Sequence, residues 1–280
     1  MVSDALWMDL NKDGWPDLVV VGRFMPITIF ENHQGKLVNE TRAYGLGDTQ
    51  GWWCRIAAAD LDHDGDTDLV IGNLGLNTQY KASPTEPLTI TYSDFDKDGT
   101  LDPILCFYNG GKSYPAATRD ELFDQMPSLQ KKFSRYSIYA DAQLPDIFSA
   151  DQLAAAHTDS VKMLQSVYLR NDGNRHFTVV PLPAYAQISQ VNGIVIRDFD
   201  KDGNADILLA GNFYPFRVQQ GPLDASIGLV LKGDGKGNFT PLPYASTGLY
   251  MPGDIRNIIE INGRIVAAKN NGPVQVIMPF

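Results

Sequence analysis

Asp60-Leu61-Asp62-His63-Asp64-Gly65-Asp66-Thr67-Asp68 runs directly into the apolar stretch Leu69-Val70-Ile71. Oxygen-bearing side chains stand at positions 1, 3, 5 and 9 of this segment, with glycine at position 6. The pattern recurs as Asp9-Leu10-Asn11-Lys12-Asp13-Gly14-Trp15-Pro16-Asp17 and as Asp94-Phe95-Asp96-Lys97-Asp98-Gly99-Thr100-Leu101-Asp102. A fourth copy is Asp198-Phe199-Asp200-Lys201-Asp202-Gly203-Asn204-Ala205-Asp206. Strand-like apolar stretches follow each one: Leu18 to Val21, Ile104 and Leu105, and Ile207 to Leu209. One Asp-Gly-rich segment reads equally well as a hairpin turn. Four do not, because a chance match at ordinary residue frequencies is on the order of one in a million per starting point.

Alternate positions of a tight loop turn their oxygens inward, which suits a hard cation that takes six to eight oxygen ligands. The expected side-chain ligands are Asp9, Asn11, Asp13 and Asp17; Asp60, Asp62, Asp64 and Asp68; Asp94, Asp96, Asp98 and Asp102; and Asp198, Asp200, Asp202 and Asp206. Position 7 is Trp15, Asp66, Thr100 or Asn204, so its shared contribution is a carbonyl oxygen. Glycine at position 6 takes a backbone conformation that a Cβ resists. An EF-hand loop opens the same way, but it needs a bidentate glutamate at position 12 and flanking helices. Position 12 here is Val20, Ile71, Leu105 or Leu209, and the flanks read as strands. About four structural Ca²⁺ ions are therefore expected in strand–loop–strand sites. Each would cancel the mutual repulsion of its carboxylates before the strands pair.

A second, looser repeat comprises Glu31-Asn32-His33-Gln34-Gly35-Lys36-Leu37, Arg170-Asn171-Asp172-Gly173-Asn174-Arg175-His176-Phe177 and Lys232-Gly233-Asp234-Gly235-Lys236-Gly237-Asn238-Phe239. A strand-like stretch precedes and follows each, so they read as hairpins joining the third and fourth strands of a unit. They lack the spaced oxygen series and are not read as metal sites.

Four strands per unit, an acidic loop after the first and an N-x-G-x-F hairpin near the end resemble FG-GAP/VCBS repeats, the β-propeller blades of α-integrins. The wording around Gly72-Asn73-Leu74-Gly75-Leu76-Asn77 and Lys269-Asn270-Asn271-Gly272-Pro273 is most similar to bacterial VCBS surface proteins and the cartilage acidic protein group. The resemblance implies an all-β chain, residues 1–280, forming a single β-propeller or the C-terminal part of a larger, seven-bladed one. About five blades can be counted. The second reads as short, and the fifth, from Asp254, replaces the acidic loop with the two-residue turn Asn262-Gly263.

Within the third blade, residues 118–165 read as a helical insertion. Thr118-Arg119-Asp120-Glu121 and Ser149-Ala150-Asp151-Gln152 fit capping boxes, and Leu122, Phe123, Met126 and Leu129 follow at helical spacing. It reads as a cover packed on the sheet, with a ligand- or partner-contacting cap as the other possibility. Cys54 and Cys106 read as two buried thiols, with a disulfide as the alternative. His63 is expected to point outward from its loop. Gly51-Trp52-Trp53 and Phe213-Tyr214-Pro215-Phe216 fall where strands meet loops, to pack between blades or to stack on sugar rings.

The formal net charge of -10 argues against a nucleic-acid partner. It concentrates in the acidic loops, where four divalent ions would cancel most of it. No apolar run reaches the roughly 18 residues of a membrane span. No signal-peptide pattern opens the sequence, so a leader for export would lie outside it. No nucleophile elbow, zinc helix, Walker loop or dinucleotide fingerprint occurs, and no catalytic residue is assigned. The expected function is a non-enzymatic, calcium-stabilised binding or scaffold module, extracellular or at the cell surface, presenting a propeller face to a protein or glycan partner. The alternative is a polysaccharide-active, lyase-like enzyme. That would need a cluster of Arg, Lys, His or Tyr in one cleft, which the linear sequence does not display.

Overall fold

A computed structural model describes residues 1–217 and 220–278. It divides into two compact units, Met1–Gln79 with Leu164–Phe280, and Tyr80–Met163. Both are built on antiparallel sheets, and the protein is all-β with a minor helical component.

In the first unit, β1 (Val2–Met8), β2 (Asp17–Met25), β3 (Thr28–His33) and β4 (Lys36–Asn39) form an up-and-down sheet, and β5 (Gly51–Trp52) pairs with the far end of β2. The second sheet opens with β6 (Arg55–Ala59) and β7 (Asp68–Gly72). In the second unit, β8 (Leu88–Ser93), β9 (Asp102–Asn109) and β10 (Lys112–Pro115) are followed by helices α1 (Arg119–Gln125), α2 (Tyr136–Tyr139), α3 (Leu144–Ile147) and α4 (Ala150–Ala155), then β11 (His157–Val161). The chain re-enters the first unit as β12 (Val167–Asn171) and β13 (Phe177–Pro181). A third sheet follows with β14 (Val191–Arg197), β15 (Asp206–Gly211), β16 (Leu229–Gly233) and β17 (Phe239–Leu242). After the short α5 (Tyr244–Thr247), β18 (Ile255–Ile261), β19 (Arg264–Lys269) and β20 (Gln275–Ile277) make a three-stranded sheet. Its first turn is Asn262-Gly263, both at positive φ (50° and 74°), as a two-residue turn between twisted strands requires.

The second sheet is not short. β12 and β13 complete it in the order β13-β12-β7-β6, so the Arg170–Phe177 hairpin belongs here and not to a blade built on the third acidic loop. The cause is burial: Leu69, Val70 and Ile71 are fully enclosed, and a lone hairpin cannot bury both faces. The third acidic loop instead joins β8 to β9 of a separate sheet, ordered β10-β9-β8-β11. The helices expected over 118–165 also end early. His157–Val161 is a strand that pairs with Leu88–Ser93, in keeping with the β-branched Thr158 and Val161.

Within the first unit the opening strands are neighbours in the order β1, β6, β14, β18. The third sheet is buried on both faces, and its alternation shows how. Val191, Ile194, Ile207 and Leu209 face Leu61, Val70 and Tyr168 of the second sheet. Val195, Leu208, Ala210 and Val230 face Ile255, Ile258 and Ile265 of the fourth. Residues at successive strand positions point to opposite faces, so one run fills two cores. No helix among the described residues is long and apolar enough to cross a membrane.

Candidate metal centres

Each acidic loop connects the first and second strands of its sheet, and all four loops fold alike. Position 4 is left-handed in every one, although it is never glycine (Lys12, His63, Lys97 and Lys201, φ between 59° and 63°). Position 6 is glycine at φ 87° to 93° with open space where a Cβ would go, so backbone conformation and not crowding requires it. Lysine and histidine resist the left-handed region, and its recurrence means that the loop's own bonds impose it.

Those bonds are local. One oxygen of the position-1 carboxylate accepts the position-6 N–H, as in Gly14 to Asp9 (2.9 Å), Gly65 to Asp60 (3.2 Å), Gly99 to Asp94 (3.0 Å) and Gly203 to Asp198 (2.9 Å). The position-5 Oδ1 accepts the position-7 N–H at 2.8–2.9 Å in each loop. Position 2 is a buried apolar anchor: Leu10, Leu61, Phe95 or Phe199.

Position 9 does more than the sequence suggested. Asp17, Asp68, Asp102 and Asp206 are all buried, and one oxygen of each accepts the position-2 N–H at 2.9–3.0 Å. The other oxygen reaches across the sheet in the first unit, taking the N–H of Asn32 (2.7 Å), Asn171 (2.8 Å) or Gly233 (2.9 Å). These are equivalent residues of the second repeat, so the two sequence patterns are halves of one device. The Asn32 and Asn171 amides also donate to the position-8 carbonyls of Pro16 and Thr67. Gly233 has no room for this, since a Cβ there would lie 2.1 Å from the Ala205 carbonyl oxygen.

Carboxylate oxygens of positions 1, 3 and 9 come within 4.8 Å of one another in three loops: Asp60, Asp62 and Asp68; Asp94, Asp96 and Asp102; Asp198, Asp200 and Asp206. The first loop has Asn11 at position 3, whose amide bonds Asp13 and Glu31. In Asp13, Asp64, Asp98 and Asp202, expected as ligands at position 5, one oxygen accepts the position-7 N–H and braces the turn. The position-7 side chains do not gather on the clusters. Trp15 is exposed, Asp66 pairs with Lys12 (2.5 Å), the Thr100 hydroxyl donates to Asp98, and Asn204 meets His63 Nε2 at 3.2 Å. His63 thus points outward from its own loop, as expected, but onto the next one. In the first unit, position 4 of one loop consistently touches position 7 of the next, Lys12 to Asp66 and His63 to Asn204.

The electrostatics fit a cation site. Burial pushes the Asp68 carboxyl up to about 6, against the donors Asn171, Leu61 and Tyr168. Burial also raises Asp17 and Asp206, and it raises Asp62 with help from Asp64. At position 5 the order reverses: the Thr100 hydrogen bond lowers Asp98, and Lys232, which also pairs with Asp200 of the cluster, lowers Asp202. Carboxylates held together and desolvated at such cost want a positive charge among them. An all-oxygen donor set of this kind can hold a hard divalent ion.

In the second unit the helices clamp the loop. Thr118 and Ser149 form the expected capping boxes, and Phe148 stacks on Phe95 at 3.9 Å between centroids. Gln125 Nε2 donates to Asp102 Oδ1 (3.1 Å), and Gln152 Nε2 donates to the Phe95 carbonyl (3.0 Å). Both cysteines are free, and burial pushes each thiol up to about 12.

Residues 9–71, from the first acidic loop through the strand after the second, match the FG-GAP-like repeat. The chain therefore carries an FG-GAP-like repeat. No curated protein matches it.

Proposed function

We propose that the chain is a calcium-stabilised, non-enzymatic binding module whose sheets are blades of a β-propeller. The observation that carries this reading is the convergence of three carboxylates in each of three loops, with the first loop built on the same plan. Four such sites would hold structural Ca²⁺, bound also by the position-7 carbonyls, and would fix the hinge between the first two strands of each sheet. The neighbour order β1, β6, β14, β18 supports the propeller, because opening strands line the axis of such a fold. Extracellular calcium suffices even for weak sites, so the module belongs outside the cell or on its surface. Its kinship there is with the bacterial VCBS proteins, and its partner is a protein or glycan.

Chelation tests the metal. EDTA is expected to lower the melting temperature by about 10 °C or more, and excess Ca²⁺ to restore it. Titration of the stripped protein should then count about four ions. An unchanged melt after exhaustive chelation would overturn the assignment.

A further inference from the structure

The ends of the first-unit sheets opposite the acidic loops carry a different chemistry. β2 passes a glycine before pairing with β5, and β7 and β15 end at the equivalent glycine: Gly22-Arg23-Phe24, Gly72-Asn73-Leu74 and Gly211-Asn212-Phe213. The glycines are forced, since a Cβ would meet the carbonyl oxygen of Met1, Val191 or Gln190 within 2.5 Å. The asparagines knit backbone together. Asn73 donates to the Gln165 carbonyl (3.1 Å), and Asn212 donates to the carbonyls of Ser226 (2.8 Å) and Gly253 (2.9 Å). In the first sheet this position is Arg23, which breaks the pattern. Where a repeat departs from its own rule without a structural gain, function is the usual reason.

Arg23 does not do the asparagine's work. Among the described residues its guanidinium has no carboxylate and no hydrogen-bond partner. It lies over the Trp52 ring (5.1 Å to the centroid) and the Phe213 ring (5.5 Å). Arg256, from the start of β18, lies over the same Phe213 ring at 5.1 Å. Two guanidinium groups from distant parts of the sequence thus share one aromatic platform. Arg256 is paired with Asp254 (2.8 Å), and the nearby Arg55 with Asp4 (3.4 Å), which leaves Arg23 as the uncompensated charge. Stacking holds the planar fork in place, so less freedom is lost when it grips a carboxylate through two hydrogen bonds.

Two further polar atoms at this platform await partners. Trp52 is 8% exposed and its Nε1 donor is buried without an acceptor, while Asp254 is 2% exposed and its Oδ1 acceptor is buried without a donor. An isolated carboxylate ligand would answer the arginine alone. A ligand that also carries hydroxyl groups supplies both the acceptor and the donor.

We propose that Arg23, Arg256, Trp52, Phe213 and Asp254 form a binding site for a carboxylate-bearing, hydroxylated ligand of the acidic-sugar class. The site deepens the binding-module reading, resting on it for the kind of function and not on the metal. It gives that module a ligand face at the sheet ends away from the acidic loops.

The test is calorimetric titration with trigalacturonate at saturating Ca²⁺, so that chelation by the sugar does not intrude. Maltotriose serves as the neutral control, and succinate as a carboxylate without hydroxyls. Wild-type protein is expected to bind trigalacturonate, to ignore maltotriose and to bind succinate more weakly. Arg23→Asn installs the residue that the other sheets use, so it should melt like wild type yet lose about tenfold or more in affinity. Phe213→Leu, which copies Leu74 of the second sheet, should weaken binding by a smaller factor. Undiminished binding by Arg23→Asn, equal affinity for succinate and trigalacturonate, or no binding by wild type would each overturn the proposal. Arginine-dependent binding in a protein whose melt ignores EDTA would sink the calcium reading and leave this one standing.

Discussion

The third acidic loop and its three counterparts have the same nine-position design but different anchors. In the first unit, the second oxygen of Asp17, Asp68 or Asp206 holds a backbone N–H at the turn between the third and fourth strands. In the second unit no such turn is available, because β10 gives way to helices, and Asp102 instead takes a side-chain N–H from Gln125 on α1. The internal bonds of the loop do not change. The loop is therefore a self-contained local fold whose outer carboxylate oxygen can fasten whatever element comes next, and the helical cover replaces a hairpin in that role.

This comparison can be broken most forcefully at position 9. Asp68→Asn turns one accepting oxygen of a buried carboxylate that takes three hydrogen bonds, from Leu61, Asn171 and Tyr168, into a donor facing other donors. It is expected to cost about 3 kcal/mol or more, read by denaturant unfolding. Asp102→Asn should cost less, because its outer partner is a single side chain, and equal losses would contradict the proposed difference in anchoring. Gly233→Ala pushes a methyl group onto the Ala205 carbonyl and is expected to cost about 1–3 kcal/mol. Gln125→Ala should cost about 1 kcal/mol and loosen amide exchange in residues 119–125 without touching exchange in β3 or β12. The smallest effect is expected from Lys12→Met, which cuts the exposed link between the first two loops. A melting change of no more than about 2 °C is anticipated there. A larger one would mean that neighbouring loops are coupled and not merely adjacent.

The acidic loops, the hairpins, the helix caps and the turn at Asn262-Gly263 were legible because each is written in contiguous residues with a local physical cause. Spacing brought the carboxylates of positions 1, 3 and 9 together in three loops, but residue identity did not announce that one oxygen of position 5 accepts the position-7 N–H. Strand pairing across the insertion was not legible at all. β7 meets β12 from far along the chain, and nothing in either stretch names the other. The same holds for Arg23, Trp52, Phe213 and Arg256, which only the sheet order brings together. One signal was available in principle: Arg23 stands after Gly22 where Asn73 and Asn212 stand after Gly72 and Gly211.

The split of the second sheet bears on how the chain is made. Gly75 donates to the Leu164 carbonyl (2.8 Å) and Asn73 to Ser166 Oγ (3.0 Å), so the strand pair left open at Gly72 is sealed by residues more than ninety positions later. At roughly 5–20 residues per second on the ribosome, β7 waits several seconds with an unpaired edge while Tyr80–Met163 is synthesised. An apolar edge exposed for that long invites wrong partners. A nascent chain stalled before β12 should therefore recruit holding chaperones, and one stalled just past β13 should release them.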